Sequence, residues 1–341
     1  MHARSKVIER NHEEFSEYKK VLVFGPPQND DLSYLNIEKV ITFDYQVYQS
    51  LLPSLEDKLT YSLDPDIATD CDALIINIPK SKAELDLVLA YLTPMLKEQG
   101  EIYLVGEKKA GIESAAKKLD DYSDNACKID SAKHCQLWQA SLNRVVERFD
   151  IENWFSSFKV DLNGIEMTVA TIPGVFCQGE LDDATRLLMT NMYKRLEGRV
   201  LDFGCGSGVL GCYTKLLNPN IALEMVDINL LALLCAEKTS ALNSIEASIY
   251  PSNGWRQVKG RVSAVVTNPP FHSGVETEYT TTEGFIKGAK DKMTKHAPFL
   301  LVANSFLKYS AVIESAFGRC DVLVETTKFR VYKAFMPLSF R

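Results

Sequence analysis

Long apolar runs are missing from this sequence of 341 residues, and no segment is apolar over enough positions to span a bilayer. The first ten residues also lack the continuous apolar core of a secretory signal peptide. We therefore expect a cytoplasmic protein with no membrane association. Hydrophobic residues make up 46% and charged residues 24%, as in ordinary globular proteins, and the length is sufficient for two domains with full cores.

Paired cysteines are also missing. The eight cysteines are scattered singly, with no Cys-x-x-Cys pair, which excludes the usual spacing of a zinc site and gives no sign of a disulfide framework. We expect reduced and mostly buried thiols, and we predict no metal site. Cys205 lies within a glycine-rich turn, where a small filler residue is a simpler interpretation than a nucleophile.

A dense run of basic residues is the third feature that is lacking. The formal net charge is −7, and the lysine clusters are modest, so they are more typical of solvated helix faces than of a binding surface. This charge excludes a protein that coats nucleic acid by bulk attraction. It leaves open an enzyme that binds RNA through a local basic patch.

The most informative stretch is a strand, a glycine turn and the start of a helix. Asp202 ends an apolar run, then Gly204, Gly206 and Gly208 alternate, and an apolar pattern resumes at Val209. Glycine allows positive φ and close approach of a ligand, and a helix N-terminus offers free N–H groups. A dinucleotide site would place its third glycine where Val209 stands. The stretch resembles motif I of the class I S-adenosylmethionine (SAM) methyltransferases, which implies a SAM site at Asp202 and the three glycines.

Strands alternate with helices in both halves of the chain, which predicts parallel sheets. Three pairs of segments match between the halves: 72–79 with 263–270, 101–106 with 298–303, and 111–115 with 312–316. We interpret this as a duplication. The predicted fold class is α/β, with two tandem Rossmann-like methyltransferase domains at 1–150 and 151–341. Each is expected to be a mostly parallel twisted sheet with helices on both faces, and the resemblance to the class I methyltransferases implies an antiparallel last strand in the second domain.

The first copy lacks the residues that the cofactor chemistry needs. Its first turn is Phe24-Gly25-Pro26-Pro27, and two prolines remove donors and stiffen a backbone that would have to curl around a cofactor. We therefore predict a degenerate domain that does not bind SAM. Substrate recognition and structural support of the second domain are both open as its role.

Two features precede the glycine turn. Asn163-Gly164 between two alternating runs predicts a β-hairpin. Further on, the resemblance to the SAM methyltransferases implies that Phe176, Asp182 and Thr185 approach the cofactor. The alternative is that Asp182 or the next residue caps a helix and that the others only pack.

Two later segments extend the predicted cofactor site. Asp227 ends an apolar strand about 20 residues after the glycine turn, where a carboxylate can accept hydrogen bonds from both hydroxyls of a ribose. The alternative is an N-cap for the helix that begins near Leu230. The neighbouring Ile228 is also predicted to belong to the cofactor site. By resemblance, the turn at Asn253 borders the adenine, whose edge an amide can match with both a donor and an acceptor.

The most specific motif is Asn268-Pro269-Pro270-Phe271, at the end of a buried strand. It resembles motif IV of methyltransferases that act on planar amino nitrogens. Such a nitrogen is a poor nucleophile because its lone pair is delocalised. The side-chain oxygen of Asn268 and the carbonyl of Pro269 can accept its two N–H groups, and Phe271 can stack on the base. His272 follows, and we favour a loop role for it over a catalytic one.

The whole chain resembles the bacterial ribosomal RNA small subunit methyltransferase C family. The matching segments are 173–176, 202–208, 268–274 and 329–334. That family pairs a degenerate N-terminal domain with a catalytic one and methylates N2 of one guanine in 16S rRNA. The resemblance implies SAM as the cofactor, 16S rRNA in the small ribosomal subunit as the partner, and catalysis by Asn268, Pro269 and Phe271. It implies no metal, and we expect a monomer.

Two other functions stay open at this point. A protein methyltransferase acting on a glutamine amide would use the same Asn-Pro-Pro-aromatic logic, although such enzymes usually carry Tyr where Phe271 stands and have a helical N-terminal domain. A non-catalytic ribosome-binding protein with a retained SAM fold is the other alternative. The intact Asp202, Asp227 and Asn268 argue against it.

Overall fold

The structure is a computed structural model that describes residues 2–176, 179–192, 195–269 and 275–338, with 275–279 described by backbone alone. The chain divides into two compact units, Met1–Phe155 and Ser156–Arg341. The division lies five residues beyond the end of the predicted first domain. Each unit holds one large sheet and the helices that connect its strands.

The first unit begins with two short helices and then alternates strands with helices. Its strands are β1 Val21–Phe24, β2 Ile37–Ile41, β3 Leu59–Thr60, β4 Cys71–Asn77, β5 Leu96–Glu107, β6 Cys127–Ala132 and β7 Cys135–Ser141. Its α-helices are α1 Ala3–Arg10, α2 His12–Ser16, α3 Tyr45–Leu55, α4 Lys82–Leu92 and α5 Ile112–Ala116. Short 3-10 helices cover Glu56–Lys58, Thr93–Met95, Lys108–Ala110, Lys117–Asp121 and Ile151–Trp154.

The second unit opens with a hairpin and then repeats the alternation. Its strands are β8 Ser156–Leu162, β9 Ile165–Thr171, β10 Arg199–Phe203, β11 Ala222–Asp227, β12 Ala247–Pro251, β13 Ala264–Thr267, β14 Pro298–Asn304, β15 Asp321–Glu325 and β16 Phe329–Phe335. Its helices are α6 Asp183–Thr190, α7 Val209–Leu217, α8 Leu230–Leu242, α9 Val275–Lys292 and α10 Tyr309–Phe317.

The two large sheets have the same topology. The first has the strand order β3-β2-β1-β4-β5-β7-β6, and the second has β12-β11-β10-β13-β14-β16-β15, which is the same permutation. All pairs are parallel except those made by the last strand of each unit, β7 and β16, with their neighbours. The predicted duplication and the antiparallel last strand are confirmed.

Each unit has its own hydrophobic core. Buried side chains from α1, β1, β4 and β5 cluster in the first unit, and a separate cluster from β13, α9, β14 and α10 lies in the second. Within the described ranges, no helix combines the length and the apolar character that crossing a membrane requires.

The predicted hairpin is confirmed. β8 and β9 form an antiparallel pair, and Asn163 and Gly164 both have positive φ at the turn, 54° and 77°. The hairpin forms a separate two-stranded sheet that is fastened to α8, since Asn243 accepts a hydrogen bond from the Thr168 N–H at 2.9 Å.

The last two strands of the first sheet carry little local sequence signal. Residues 134–150 showed no clear pattern, but β7 occupies Cys135–Ser141 and pairs with β6. Its turn uses Lys133 and His134 at positive φ instead of Asn-Gly, and β6 is largely exposed and polar. Both the turn signal and the apolar alternation are therefore weak.

Candidate active site

The predicted site residues follow the carboxyl ends of adjacent strands in the second sheet. β10 lies between β11 and β13, and the chain leaves β10 towards one side and later returns on the other. Such a point, where the strand order reverses, leaves a crevice in which α/β proteins bind ligands. The glycine turn follows β10, Asp227 ends β11, and Asn268 directly follows β13.

Two of the turn glycines serve different purposes. Gly208 has φ +77°, and a Cβ there would lie 3.0 Å from Ala236 of α8, so this position needs glycine for helix packing. Gly206 has φ +52°, but a Cβ there would meet nothing within 4 Å. The backbone at Gly206 therefore faces open space into which a ligand can come close.

Asp202 is buried at the base of the turn, with 1% of its surface exposed. Its Oδ2 accepts the Gly211 N–H of α7 at 2.8 Å, whereas Oδ1 accepts no hydrogen bond from any described residue. Burial raises the pKa of this carboxyl to about 8, and the charge of Asp227 acts in the same direction. A cationic ligand would supply the missing partner.

Asp227 holds the turn from the neighbouring strand. Its Oδ2 accepts the Gly206 N–H at 3.0 Å, and its Oδ1 accepts the Asn229 N–H at 3.0 Å. The alternative that Asp227 caps α8 is wrong, because the cap is Asn229, whose side chain accepts the Leu231 N–H at 2.8 Å. Ile228 lies between these two residues and is half-buried.

The loop after β12 is tied to the same strand end. The Ser252 N–H donates to the Asp227 carbonyl at 3.0 Å, and the Asn253 N–H donates to Gln257 Oε1 at 2.9 Å. These bonds hold Asn253 beside Asp227 and leave it half-buried.

Asn268 is held in one orientation by α6. Its Nδ2 donates to Thr185 Oγ1 at 2.8 Å and approaches Asp182 Oδ1 at 3.4 Å. The Oδ1 end of the same amide is buried and accepts no hydrogen bond from any described residue. The amide oxygen is therefore a buried acceptor that can still take a hydrogen bond.

The helix cap predicted at Asp182 is present, since its Oδ1 accepts the N–H groups of Ala184 and Thr185 at 3.0 Å. The resemblance and the possible cap both pointed to this helix, but sequence reasoning did not find the contact between Thr185 and Asn268. Phe176 is 44% exposed on the preceding loop, and Pro269 is buried. Phe271 and His272 lie outside the described residues.

A buried ring stack beneath the site was also not anticipated. Phe203 of β10 stacks on Phe285 of α9 with ring centroids 3.7 Å apart, and Trp255 stacks on the other side at 4.3 Å. Trp255 Nε1 donates to the Phe285 carbonyl at 2.7 Å. The stack joins the strand before the glycine turn, the loop of Asn253 and the helix that begins seven residues after Asn268.

The first unit has different groups at the equivalent positions. When Asn77 is matched with Asn268, the sheet registers place Val23 where Asp202 stands and Thr42 where Asp227 stands. Pro27 then replaces Gly206 and offers no N–H. The carbonyl equivalent to that of Pro269 belongs to Ile78, and it accepts a hydrogen bond from the Arg4 guanidinium at 3.2 Å.

No group of three or more potential metal ligands (His, Cys, Asp or Glu) is found among the residues that the structure describes. Two family models match the chain. The Methyltransferase small domain model matches residues 166–333, and the Methyltransferase small domain N-terminal model matches residues 5–158. Together they account for both units.

Curated relatives match the chain over almost its full length. Ribosomal RNA small subunit methyltransferase C of Pseudoalteromonas atlantica is 38% identical over 97% of this chain and 98% of its own length. The protein of the same name from Aeromonas hydrophila is 36% identical over 97% of both chains.

A solved structure has the same overall fold. It is a 16S rRNA N2 methyltransferase from T. thermophilus in complex with AdoMet and guanosine, and it matches with a TM-score of 0.81 at 21% identity. The match covers 95% of this chain and 91% of that one.

Proposed function

This chain belongs to the ribosomal RNA small subunit methyltransferase C family, and on that premise we propose that it transfers a methyl group from SAM to the exocyclic N2 amine of a guanine in 16S rRNA. The T. thermophilus protein of the same fold acts at N2 of 16S rRNA and binds AdoMet and guanosine. The observation that carries the proposal is the oriented amide of Asn268, with its oxygen buried and unfilled.

The cofactor site of the proposal is the crevice around the glycine turn. SAM supplies a methyl group already activated on a sulfonium. In this proposal Asp227 binds the ribose hydroxyls, Asn253 binds the adenine edge, and the ligand approaches the Gly206 backbone. The unfilled Oδ1 of Asp202 and the neighbouring carboxyl of Asp227, whose charge raises the pKa of Asp202, favour a cofactor of positive charge over an anionic one.

The acceptor side of the proposal rests on Asn268 and Pro269. Asn268 Oδ1 accepts one N–H of the guanine amine and the Pro269 carbonyl accepts the other, which raises the electron density on nitrogen and directs its lone pair at the methyl group. As the nitrogen bonds to the methyl carbon, the sulfur–carbon bond of the donor would break with its electron pair left on sulfur, which gives the demethylated cofactor. The nitrogen would release a proton to solvent, so no strong base is required. Phe271 is proposed to stack on the guanine.

We further propose that the substrate is 16S rRNA within the small ribosomal subunit, which places the activity in the cytoplasm. The first unit is proposed to help recognise this substrate, since Val23, Thr42 and Pro27 leave it without the groups of a SAM site. A monomer stays a prediction.

The function is tested with radiolabelled SAM and three acceptors: small subunits from cells that lack this protein, naked 16S rRNA, and a peptide release factor. We expect label in the 16S rRNA of the subunits, at N2 of one guanine by mass spectrometry of the nucleosides. Label in the release factor would support the glutamine-amide alternative. No transfer to any acceptor, despite SAM binding, would support a non-catalytic ribosome-binding protein.

The role of Asn268 is tested in the same assay. We expect Asn268→Ala to abolish transfer and to leave the SAM affinity near normal by calorimetry. The matched control is Asn77→Ala, the same substitution at the equivalent strand end of the first unit, which should retain transfer at a temperature where both variants are folded. A variant at Asn268 that transfers methyl groups at the normal rate would contradict the proposal.

A further inference from the structure

The most exposed aromatic side chain in the described part of the chain is Phe306, of which 69% is accessible to solvent. It lies in the short connection between β14 and α10. An aromatic ring in water is unfavourable, and folding has not buried this one. Its exposed ring is available to stack on a planar partner.

Phe306 lies at the same edge of the sheet as Asn268. β14 runs parallel to β13 with Leu301 level with Thr267, and it continues to Asn304. With about 3.3 Å per residue and about 4.8 Å between strands, Asn304 lies roughly 8 Å from Asn268. Phe306 is two residues further on, so it borders the place proposed for the acceptor base.

The connection that carries Phe306 is held on both sides. The Ser305 N–H donates to the Lys328 carbonyl at 2.8 Å, and the Leu307 N–H donates to the Asn304 carbonyl at 3.0 Å. Leu307 is 8% exposed, and its carbonyl accepts the Tyr332 hydroxyl at 3.3 Å. The ring is thus presented to solvent by a fixed backbone.

Two lysines lie close to Phe306 along the backbone, since Lys308 is two residues further on and the Lys328 carbonyl accepts the N–H of the preceding Ser305. Lys308 and Lys328 are exposed, and neither forms an ion pair with a residue that the structure describes. The nearby Arg330 is instead paired with Glu325 at 2.7 Å. Lys308 is also the N-cap residue of α10 and makes no side-chain cap, so the N–H groups of the first turn add positive potential. In a chain of net charge −7, this local excess of positive charge favours an anionic partner.

We propose that Phe306, Lys308 and Lys328 form a binding surface for a nucleotide of the RNA substrate next to the one that is methylated. The unstacked base of this nucleotide lies on the Phe306 ring, and its phosphates lie near the two lysines. Aromatic stacking is independent of base identity, and lysines neutralise phosphates, so the surface holds the strand while Asn268 receives the target. The inference rests on the proposed function, because it takes RNA as the substrate.

The test compares Phe306→Ala, Phe306→Trp and Phe335→Ala in the full-length protein. Phe335 is an exposed ring on the same sheet, but it pairs with Pro298 and so lies at the opposite edge. We expect Phe306→Ala to raise the KM for unmodified small ribosomal subunits by about tenfold, as the loss of one base–aromatic stack would. The kcat at saturating subunits and the KM for SAM should not change, and Phe306→Trp and Phe335→Ala should behave as wild type.

Direct binding separates this inference from the proposed function. Anisotropy of a fluorescent single-stranded RNA, in the presence of the demethylated cofactor, needs no methyl transfer. Lys308→Gln with Lys328→Gln should weaken this binding and reduce the salt slope by about 1.4, the value for two phosphate contacts on a single strand. Wild-type protein that binds RNA through this surface but does not transfer would contradict the function and leave the surface supported. An unchanged affinity of Phe306→Ala for the single-stranded RNA would overturn the inference.

Discussion

At the scale of single residues, the orientation of one amide decides what the site can do. The amide of Asn268 has an acceptor end and a donor end, and only the acceptor end can receive an amine N–H. Asp182 Oδ1 acts as an acceptor for the Ala184 and Thr185 N–H groups, so the amide end that faces it is the NH₂ group, which can donate. Thr185 Oγ1 accepts from the same group, which leaves Oδ1 for the substrate.

Thr185 is therefore expected to position Asn268. Thr185→Val keeps the shape of the side chain but removes the hydroxyl, and an unpaired buried amide costs about 1–3 kcal/mol. We expect kcat to fall by roughly 10- to 100-fold, since about 1.4 kcal/mol corresponds to a factor of ten. Thr185→Ser should retain most of the rate because it keeps the oxygen.

Calorimetry of SAM binding tells the two possible roles of Thr185 apart. A positioning residue leaves the SAM affinity of Thr185→Val unchanged, whereas a direct cofactor ligand does not. Equal rates for the valine and serine variants would show that the hydroxyl has no part in orienting Asn268.

The raised pKa of Asp202 predicts how the free energy of unfolding depends on pH. Its folded-state pKa is raised to about 8, while the unfolded value is near 4, so the folded state binds more protons between these limits. The free energy of unfolding of the protein without ligand should therefore decrease as pH rises from about 4 towards about 8. Urea denaturation at a series of pH values measures this slope.

Asp202→Asn is the control for that slope. Asparagine can still accept the Gly211 N–H, but it does not titrate, so the decrease attributed to Asp202 should disappear. A variant with the same pH dependence as wild type would mean that other groups cause it.

At the scale of elements, aromatic stacking fastens the helix α9 to the strand β10 and to the loop that carries Asn253. Phe285 on this helix is sandwiched between Phe203 and Trp255, with nearly parallel rings at 6° and 7°. Such contacts add about 0.5–1.5 kcal/mol per pair beyond the area that they bury. The helix that follows the Asn-Pro-Pro segment is thereby fastened to both the glycine-turn strand and the Asn253 loop.

Two glycines of α9 test this packing with the same substitution. A Cβ at Gly288 would lie 2.8 Å from Trp255 Cδ1, and the ring cannot move easily because it is stacked and hydrogen-bonded. We expect Gly288→Ala to destabilise the protein by about 1–3 kcal/mol from overpacking, despite the better helix propensity of alanine.

The matched control is Gly284→Ala, one turn earlier on the same helix. Its Cβ would meet nothing within 4 Å, so only helix propensity acts, and we expect a gain of about 1 kcal/mol. Thermal denaturation of the two variants checks the opposite signs. Destabilisation by both would indicate that α9 does not tolerate the change for a reason unrelated to Trp255.

At the scale of the whole molecule, one topology is used twice and only one copy keeps the chemistry. The equivalent residues differ in kind, since Val23 and Thr42 cannot replace the carboxylates of Asp202 and Asp227. Asn77 is retained, but its Nδ2 donates to the Phe24 carbonyl, whereas Asn268 donates to Thr185. The first unit thus keeps the packing of the fold without its cofactor chemistry.

Separation of the units tests the role of the first. Because each unit has its own core, we expect residues 156–341 to fold and to bind SAM with the affinity of the full chain. Their kcat/KM for the RNA substrate should be much lower if the first unit contributes to recognition. Methylation of the natural substrate at the full rate by this fragment would exclude a recognition role.

Local patterns were sufficient for much of the fold and of the candidate site. The Asn163-Gly164 hairpin, the alternating glycines and the strand ending at Asn268 are each written in contiguous residues, because turn geometry and apolar periodicity are local properties. The β6–β7 pair was not predicted, because a Lys-His turn and a polar edge strand carry little of either signal.

Only the tertiary structure decided the contacts between distant parts of the chain. Thr185 and Asn268 are 83 residues apart, and Phe203 and Phe285 belong to a strand and a helix that no local pattern brings together. Such contacts depend on how complete elements pack, and the packing is determined by all the side chains of the core together. The chain sequence therefore specified which groups could act on a methyl donor and an amine, and packing selected which neighbour orients them.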